Sequence, residues 1–205
     1  TDGNADGRAY IVTNKSEATA IKSTDNSGGT TPVGGVSSAV AVPDNQIRTA
    51  IGASVAASNA ADPSVGDTKG GFHETGGLAG PTITATGPNG PQKIVPAAPG
   101  AAGDPATGGV AIDLFKHANP SDAGTFLSTT SWHVHPKGVT YTYTDKNTVE
   151  HSFNQGPTGN DTTFAATYPN ITTNIVVGAR NNTVSFFNAG GTVATFPLNK
   201  FLALP

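Results

Sequence analysis

The sequence has no cysteine and no methionine, and only one of its 205 residues is tryptophan. Without cysteine there is no disulfide framework, and any metal site would depend on histidine and carboxylate side chains. Charged residues make up 12% of the chain, and the formal net charge is -3. Since lysine and arginine form no cluster, we expect neither nucleic acid nor an anionic membrane as a partner.

Long apolar runs are also missing. No run approaches the roughly 20 residues needed to cross a bilayer, and no charged-then-apolar segment opens the chain. Because the chain begins at Thr1 and contains no methionine, we expect it to be a processed or excised part of a longer polypeptide.

Glycine (26 residues) and proline (15 residues) are abundant, which favours strands and turns over long helices. The Ser/Thr/Gly-rich residues 1–43 predict an arm or linker with one strand in the apolar run Ala9–Thr13. Residues 44–205 are long enough for one domain with a sizeable core. Within that domain, the Ala/Gly/Pro-rich segment Pro96–Gly109 predicts a surface loop.

One main helix and many short strands are predicted in the domain. Apolar residues recur at three- and four-residue spacing behind a possible cap at Asp44, which predicts a helix over 44–59. Period-two alternation on both sides of Asp145–Asn147 predicts a β-hairpin, and a short helix is expected over Asp161–Tyr168. The other predicted strands are Thr82–Thr86, Lys93–Val95, Gly109–Phe115, Thr125–His135, Asn174–Ala179, Thr183–Asn188 and Thr192–Phe196.

The tetrapeptide His133-Val-His-Pro136 is the most informative motif. Residues two apart on a strand project from the same face, so the imidazoles of His133 and His135 could converge on one metal ion. Trp132 would then lie in the core on the opposite face. His-x-His alone is equally consistent with a half-exposed strand that carries two polar histidines.

Two carboxylates could complete such a site. A catalytic zinc needs three protein ligands and an open position for water, and Asp161 is a candidate third ligand. Thr158, three residues earlier, would cap the short helix or point its hydroxyl into the site, although a capped helix start alone explains both residues. Glu74 is the candidate base for a metal-bound water; its simpler interpretation is a solvated glutamate before a glycine-rich turn.

Three segments occur in the order of the JAB/MPN (JAMM) zinc metalloprotease signature, which reads Glu-x-Gly-Gly, His-x-His-Pro and Ser-x-x-Asp. They are Glu74–Gly80, His133–Pro136 and Thr158–Asp161. The chain resembles this superfamily over about residues 44–200. The resemblance implies an α/β, cytidine-deaminase-like mixed sheet with one main helix, in which the hairpin 139–153 is an insertion near the site.

The resemblance also implies a role for each residue that matches the signature. His133, His135 and Asp161 would bind Zn²⁺, and Glu74 would activate the water. Thr158 stands where the family has serine and would stabilise the oxyanion. The implied activity is hydrolysis of a peptide or isopeptide bond in a protein or peptide substrate.

A second Thr-x-x-Asp sequence offers an alternative third ligand. Thr142–Asp145 has the same pattern, and its spacing from His135 is nearer the usual spacing of the family. We favour Asp161, because Asp145 falls in the predicted hairpin turn. A short polar side chain there suits the turn and points to solvent.

The segment Asp6–Thr13 and the low-complexity arm are similar to JAB-like toxin domains at the C-termini of RHS-type polymorphic toxins. This resemblance implies a secreted effector that acts in a target cell, with a parent RHS-type shell and a cognate immunity protein. The alternative is a catalytically inactive module of a large secreted or surface protein, which keeps the fold for binding or packing. Zinc deamination is disfavoured, because the Cys-x-x-Cys of such sites is missing.

Overall fold

The computed structural model describes residues 10–11, 40–61, 71–107, 111–117 and 124–204. The strands in these ranges are β1 (Tyr10–Ile11), β2 (Val40–Ala41), β3 (Thr75–Pro81), β4 (Gln92–Ala97), β5 (Thr130–His135), β6 (Val139–Tyr143), β7 (Thr148–Ser152), β8 (Thr173–Gly178), β9 (Thr183–Asn188) and β10 (Gly191–Pro197). The helices are α1 (Asn45–Ala61), α2 (Leu114–His117), α3 (Gly159–Thr167) and α4 (Leu198–Leu202).

A six-stranded sheet with the order β10-β9-β8-β5-β3-β4 forms the centre of the fold. Strand β5 runs parallel to β8, and the other neighbouring pairs are antiparallel. Strands β6 and β7 pair separately as a hairpin. The fold is therefore mixed α/β with a core made mostly of sheet, and β5 lies inside the sheet between β3 and β8.

Helix α1 covers one face of this sheet. Its buried side chains include Ile47, Ile51, Ser54 and Ser58, whose three- and four-residue spacing places them on one stripe of the helix. Ile51 lies in the same apolar cluster as Trp132, and the indole N–H of Trp132 donates to Ser54 Oγ at 2.9 Å. Each apolar side chain buried there stabilises the fold by about 1.5–3 kcal/mol. The expected packing of the sheet on this helix is confirmed.

Helices α2 and α3 cover part of the opposite face. Leu114 of α2 packs in a cluster with Leu78, and Ala165 of α3 packs with Val176 and Phe187. These clusters are smaller than the one under α1. A cleft of about 630 Å³ remains over β5, bounded by α2, by α3 and by the end of the hairpin.

Most predicted elements in the second half of the chain are confirmed with small shifts at their ends. The hairpin is β6 and β7, and the short helix is α3, which begins at Gly159 instead of Asp161. The three C-terminal strands are β8, β9 and β10, and Thr183–Asn188 has the predicted bounds. In the first half, the helix over 44–59 is α1, and Lys93–Val95 lies inside β4.

The strand predicted over Thr82–Thr86 is wrong. This segment forms turns joined by isolated bridges, and the hydroxyls of Thr84 and Thr86 both hydrogen-bond to the side chain of Asn89. Such local side-chain bonds compete with the regular ladder of a sheet. Strand β3 therefore ends at Pro81, and Thr82–Thr86 belongs to the turns that follow it.

The strand predicted over Gly109–Phe115 is also wrong for the residues that the structure describes. Residues 111–113 have no regular structure, and Leu114 begins α2. A short apolar run does not distinguish a strand from a buried helical turn. The predicted strand Thr125–His135 is shorter than expected and begins at Thr130, while the predicted loop Pro96–Gly109 loses its first two residues to β4.

No strand is predicted where β3 lies, because Thr75-Gly-Gly-Leu-Ala-Gly-Pro81 is rich in residues that are rare in strands. A Cβ atom on Gly77 would lie 2.3 Å from the indole ring of Trp132, and one on Gly76 would lie 2.3 Å from the Trp132 carbonyl oxygen. Glycine is therefore required for β3 to lie against β5. This close approach carries Glu74, the residue before β3, to the cleft.

Of the predicted arm 1–43, the structure describes residues 10–11 and 40–43. Tyr10–Ile11 pairs with Val40–Ala41, so part of the apolar run Ala9–Thr13 is a strand, as predicted. Val40 is buried in the cluster on the α1 face. Within the described ranges, no helix has the length and apolar character of a membrane span.

Candidate metal centre

His133 and His135 lie on β5 and face the cleft, as predicted. Both side chains are buried, and their Nε2 atoms are 3.1 Å apart. Trp132 and Val134, which alternate with them, are fully buried in the apolar cluster on the other face. The period-two geometry of the strand therefore brings the two ring nitrogens to one point.

A backbone carbonyl fixes the ring of His135. The Nδ1 atom of His135 lies 2.7 Å from the carbonyl oxygen of Asn154. A carbonyl only accepts hydrogen bonds, so Nδ1 carries the proton, and the lone pair of the neutral ring is on Nε2, which faces His133. Metal-binding histidines commonly have this arrangement, with the second nitrogen donating to a carbonyl or carboxylate.

The Asn154 carbonyl is itself held in place by its neighbour, Gln155. The buried amide of Gln155 donates to the carbonyls of Pro136 and Phe153 at 3.0 and 3.1 Å, and accepts from the N–H of Arg180 at 2.7 Å. One side chain thus ties the end of the hairpin to the residues that follow β5 and β8. Neither Asn154 nor Gln155 is predicted from the sequence, because a backbone acceptor leaves no motif.

Asp161 lies in the first turn of α3 and meets the histidines from above the sheet. Its Oδ1 atom is 3.0 Å from His133 Nε2, and its Oδ2 atom is 3.9 Å from His135 Nε2. Oδ2 also accepts hydrogen bonds from the backbone N–H and the hydroxyl of Thr158. Burial alone would raise the pKa of Asp161, but the hydrogen bond and charge of His133, together with Thr158, lower it well below its usual range.

Glu74 approaches the same point from β3. The side chain is buried, and its Oε1 atom is 3.5 Å from His135 Nε2. Burial raises the pKa of Glu74 to about 7, against the opposing charge of His133. A carboxyl group with a pKa near neutrality can both accept a proton and return it.

The surroundings shift the pKa values of the two histidines in opposite directions. Burial alone would lower the pKa of His133, but its hydrogen bond to Asp161 and the charges of Glu74 and Asp161 raise it above the usual value. Burial and the neighbouring charge of His133 lower the pKa of His135 to about 4. His135 is therefore neutral at physiological pH, the form in which imidazole binds a metal.

The donor atoms could hold a metal ion. One ligand atom from each of the buried residues Glu74, His133 and His135 lies within 4.8 Å of the others, so this group could hold a metal ion. Two nitrogens bound to one tetrahedral zinc at about 2.0–2.1 Å lie about 3.3 Å apart, close to the 3.1 Å between His133 Nε2 and His135 Nε2. The carboxylates of Glu74 and Asp161 approach this pair from two sides, and each is a donor that zinc accepts.

The remaining candidate residues lie in different places. Asp145 is exposed in the turn between β6 and β7, whereas Thr158 lines the cleft with its hydroxyl directed to Asp161. His73 Nδ1 lies 2.7 Å from the carbonyl oxygen of Gly100, and His151 hydrogen-bonds within the hairpin. Glu74, His133, His135 and Asp161 are therefore the predicted residues that converge.

Aromatic residues in the cleft are missed by the sequence analysis. Phe115 of α2 lies against Tyr168, with ring centroids 4.6 Å apart, and Phe164 of α3 lies 4.9 Å from Tyr168. All three line the same cleft as the histidines. The spacing of Phe164 and Tyr168 from Asp161 is a helical signal that the sequence does contain.

Comparison with protein-family models, with curated proteins and with solved structures finds no match for this chain.

Proposed function

We propose that the chain is a zinc-dependent hydrolase of the JAB/MPN (JAMM) type that cleaves a peptide or isopeptide bond. The observation that carries the proposal is that Glu74, His133 and His135 could hold one metal ion in the cleft, with Asp161 3.0 Å from His133 Nε2. Zinc bound there would polarise the scissile carbonyl and lower the pKa of its water towards about 7. A cytidine-deaminase-like arrangement of the sheet belongs to the same proposal.

In this proposal His133, His135 and Asp161 are the zinc ligands. The Asn154 carbonyl holds His135 with its Nε2 lone pair towards His133, and Thr158 holds Oδ2 of Asp161. Oδ1, which lies 3.0 Å from His133 Nε2, would bind the metal in place of that contact. The Thr158 hydroxyl donates a hydrogen bond to Asp161. To stabilise the oxyanion, as predicted, it would have to give up this hydrogen bond and donate one to the oxyanion instead. Asp145 is exposed in a turn, and the proposal leaves it without a role.

Glu74 is the general base. Its carboxylate takes a proton from the attacking water and passes that proton to the leaving amine nitrogen, so the acid and base steps balance. A pKa raised to about 7 by burial suits both steps, because the group is readily deprotonated before attack and readily reprotonated after it. Its position just before β3, with Oε1 3.5 Å from His135 Nε2, places the carboxylate beside the candidate ligands, as this role needs.

The biological setting that we propose rests on sequence resemblance alone. A JAB-like toxin domain of an RHS-type polymorphic toxin would be delivered into a target cell and act on a protein substrate there. An immunity protein and a parent shell would be its partners.

Replacement of Glu74 by glutamine tests the proposed hydrolase activity and the role of Glu74 as its general base. We expect Glu74→Gln to abolish hydrolysis of a casein substrate while zinc content stays near one per chain, because a base is lost but no ligand is. Glu150→Gln is the matched control, since Glu150 is an exposed glutamate of the hairpin. Zinc is measured by mass spectrometry and cleavage by gel electrophoresis.

The other outcomes are informative. Loss of zinc from Glu74→Gln would make Glu74 a ligand and contradict its role as a base. Absence of zinc from the wild-type protein after reconstitution would reject the enzyme and favour the alternative, an inactive JAB-fold module that serves binding or structure.

A further inference from the structure

The cleft continues from the metal-binding residues along an aromatic wall, which consists of Phe115, Phe164 and Tyr168. The ring centroids of Phe115 and Phe164 are 6.0 Å apart, and both rings contact Tyr168 at shorter distances. The wall and the metal-binding residues border one continuous space. A molecule held at the histidines can therefore also reach the three rings.

Helix α3 aligns the wall with the candidate ligand Asp161. Phe164 follows Asp161 by three residues and lies on the same face of the helix, and Tyr168 is the residue that caps the C-terminal end of α3. A rise of about 1.5 Å per residue places Phe164 about 4.5 Å along the helix axis from Asp161. One residue of extended peptide spans about 3.3 Å, so a peptide held beside Asp161 can reach Phe164 with a neighbouring side chain.

Phe115 is not needed to anchor α2. The preceding residue, Leu114, is 4% exposed and packs into the apolar cluster beneath the helix, whereas Phe115 is 41% exposed and lines the cleft. An exposed phenylalanine beside a reactive centre leaves apolar surface that a ligand can cover. Its ring contacts Phe164 and Tyr168, and the part that stays exposed borders the cleft.

The charges in the cleft restrict what that ligand can be. The side chains that line its described part include three carboxylates, those of Glu74, Asp113 and Asp161, and no lysine or arginine. An acidic substrate side chain would find no cationic side chain among these residues, whereas an apolar one would cover the rings of the wall.

We propose that the aromatic wall is a subsite for an apolar, preferably aromatic, side chain on the substrate residue whose carbonyl is attacked. This proposal rests on the proposed function, because it needs a carbonyl held at the metal. It makes the enzyme selective for cleavage after large apolar residues.

Hydroxamates test the subsite without any need for turnover, since a hydroxamate chelates zinc and carries one amino-acid side chain. The hydroxamates of N-acetylphenylalanine, N-acetylalanine and N-acetylaspartate are titrated into the zinc-loaded protein by calorimetry. We expect the phenylalanine compound to bind at least about tenfold more tightly than the alanine compound, because its phenyl ring is buried against the wall. The aspartate compound should bind most weakly.

Variants then locate the effect. Phe115→Ser should remove most of the advantage of the phenylalanine compound and leave the affinity for the alanine compound unchanged. Ile83→Ser is the matched control, because Ile83 is a 50% exposed apolar residue that does not line the cleft. Thermal unfolding checks that both variants are folded, and Phe115→Leu, which keeps an apolar side chain, should retain part of the preference.

The two proposals fail in different ways. Equal binding of the phenylalanine and alanine compounds to the wild-type protein would overturn the subsite and leave the metal centre intact. A preference that survives Phe115→Ser undiminished would also overturn it. Failure of all three hydroxamates to bind the reconstituted protein would reject the metal centre, and the subsite with it.

Discussion

The two faces of β5 contrast in chemistry although their residues alternate along one strand. Trp132 and Val134 are fully buried in the apolar cluster under α1, whereas His133 and His135 are buried among carboxylates at the cleft. Burial of polar groups costs free energy unless they are paired, so the cleft face contributes little to folding. The apolar face fixes the strand in the sheet, and the other face is therefore free to hold a reactive cluster.

The largest expected effect is the difference between substitutions at two neighbouring residues, one on each face of β5. Trp132→Ala should lower the free energy of unfolding by about 3–5 kcal/mol, because it removes a fully buried indole and its hydrogen bond to Ser54. His133→Ala should cost only about 1–2 kcal/mol in the metal-free protein but should lose zinc. Urea unfolding in the presence of EDTA and metal analysis measure the two quantities.

The contrast fails if His133→Ala destabilises the metal-free protein as much as Trp132→Ala does. In that case the cleft face would hold the fold together, and the cluster would be structural. If Trp132→Ala does not fold, Trp132→Phe gives a smaller loss of the same sign and can be compared with His133→Ala instead.

The next effect concerns two segments that share the pattern Thr-x-x-Asp but lie in different surroundings. Asp161 is 3.0 Å from His133 at the start of α3, whereas Asp145 is exposed in the hairpin turn. Asp161→Asn should weaken zinc affinity by orders of magnitude, because an amide is a poorer ligand than a carboxylate. Asp145→Asn should leave it within about twofold, since exposed substitutions away from a site have small effects.

Competition with a fluorescent zinc chelator gives both affinities, and the metal-free proteins should unfold at similar urea concentrations. The opposite order of affinities would move the third ligand to the hairpin. Residues 158–161 would then be an ordinary helix start. Equal and small effects of both substitutions would leave Glu74 as the third ligand.

The alternation on β5 explains why part of the fold and of the site is predictable from sequence. A strand places His133 and His135 on one face by its period alone, and the patterns of the hairpin and of Thr183–Asn188 are equally local. Strand β3 is not predictable in this way. Its glycines are required because Trp132 leaves no room for a Cβ atom, and this contact exists only in the folded sheet. The run Gly109–Phe115 is misread for a similar reason, since the packing of Leu114 decides its conformation.

Prediction of the candidate metal centre from the sequence is limited in the same way. The candidate site residues Glu74 and Asp161 belong to sequence motifs, and the structure places both beside the histidines. Contacts through the backbone have none, so the carbonyl of Asn154 that orients His135 is visible only in the structure. Residues that support a site through the backbone must therefore be tested by substitution of the side chains that hold that backbone.

The smallest expected effect tests whether the support of His135 extends to Gln155. Gln155→Ala removes three hydrogen bonds that hold the chain around Asn154, so the carbonyl that orients His135 should become less well placed. Supporting residues of this kind typically change metal affinity by about 10–100-fold, and we expect the lower end because the carbonyl itself remains. Gln46→Ala, on the exposed side of α1, is the control. Zinc affinity is measured at a temperature where both variants are fully folded, alongside their unfolding in EDTA. A loss of stability with unchanged zinc affinity would mean that Gln155 only anchors the hairpin. Weaker zinc binding in the folded protein would mean that Gln155, at the end of the hairpin, also supports His135 on the cleft face of β5.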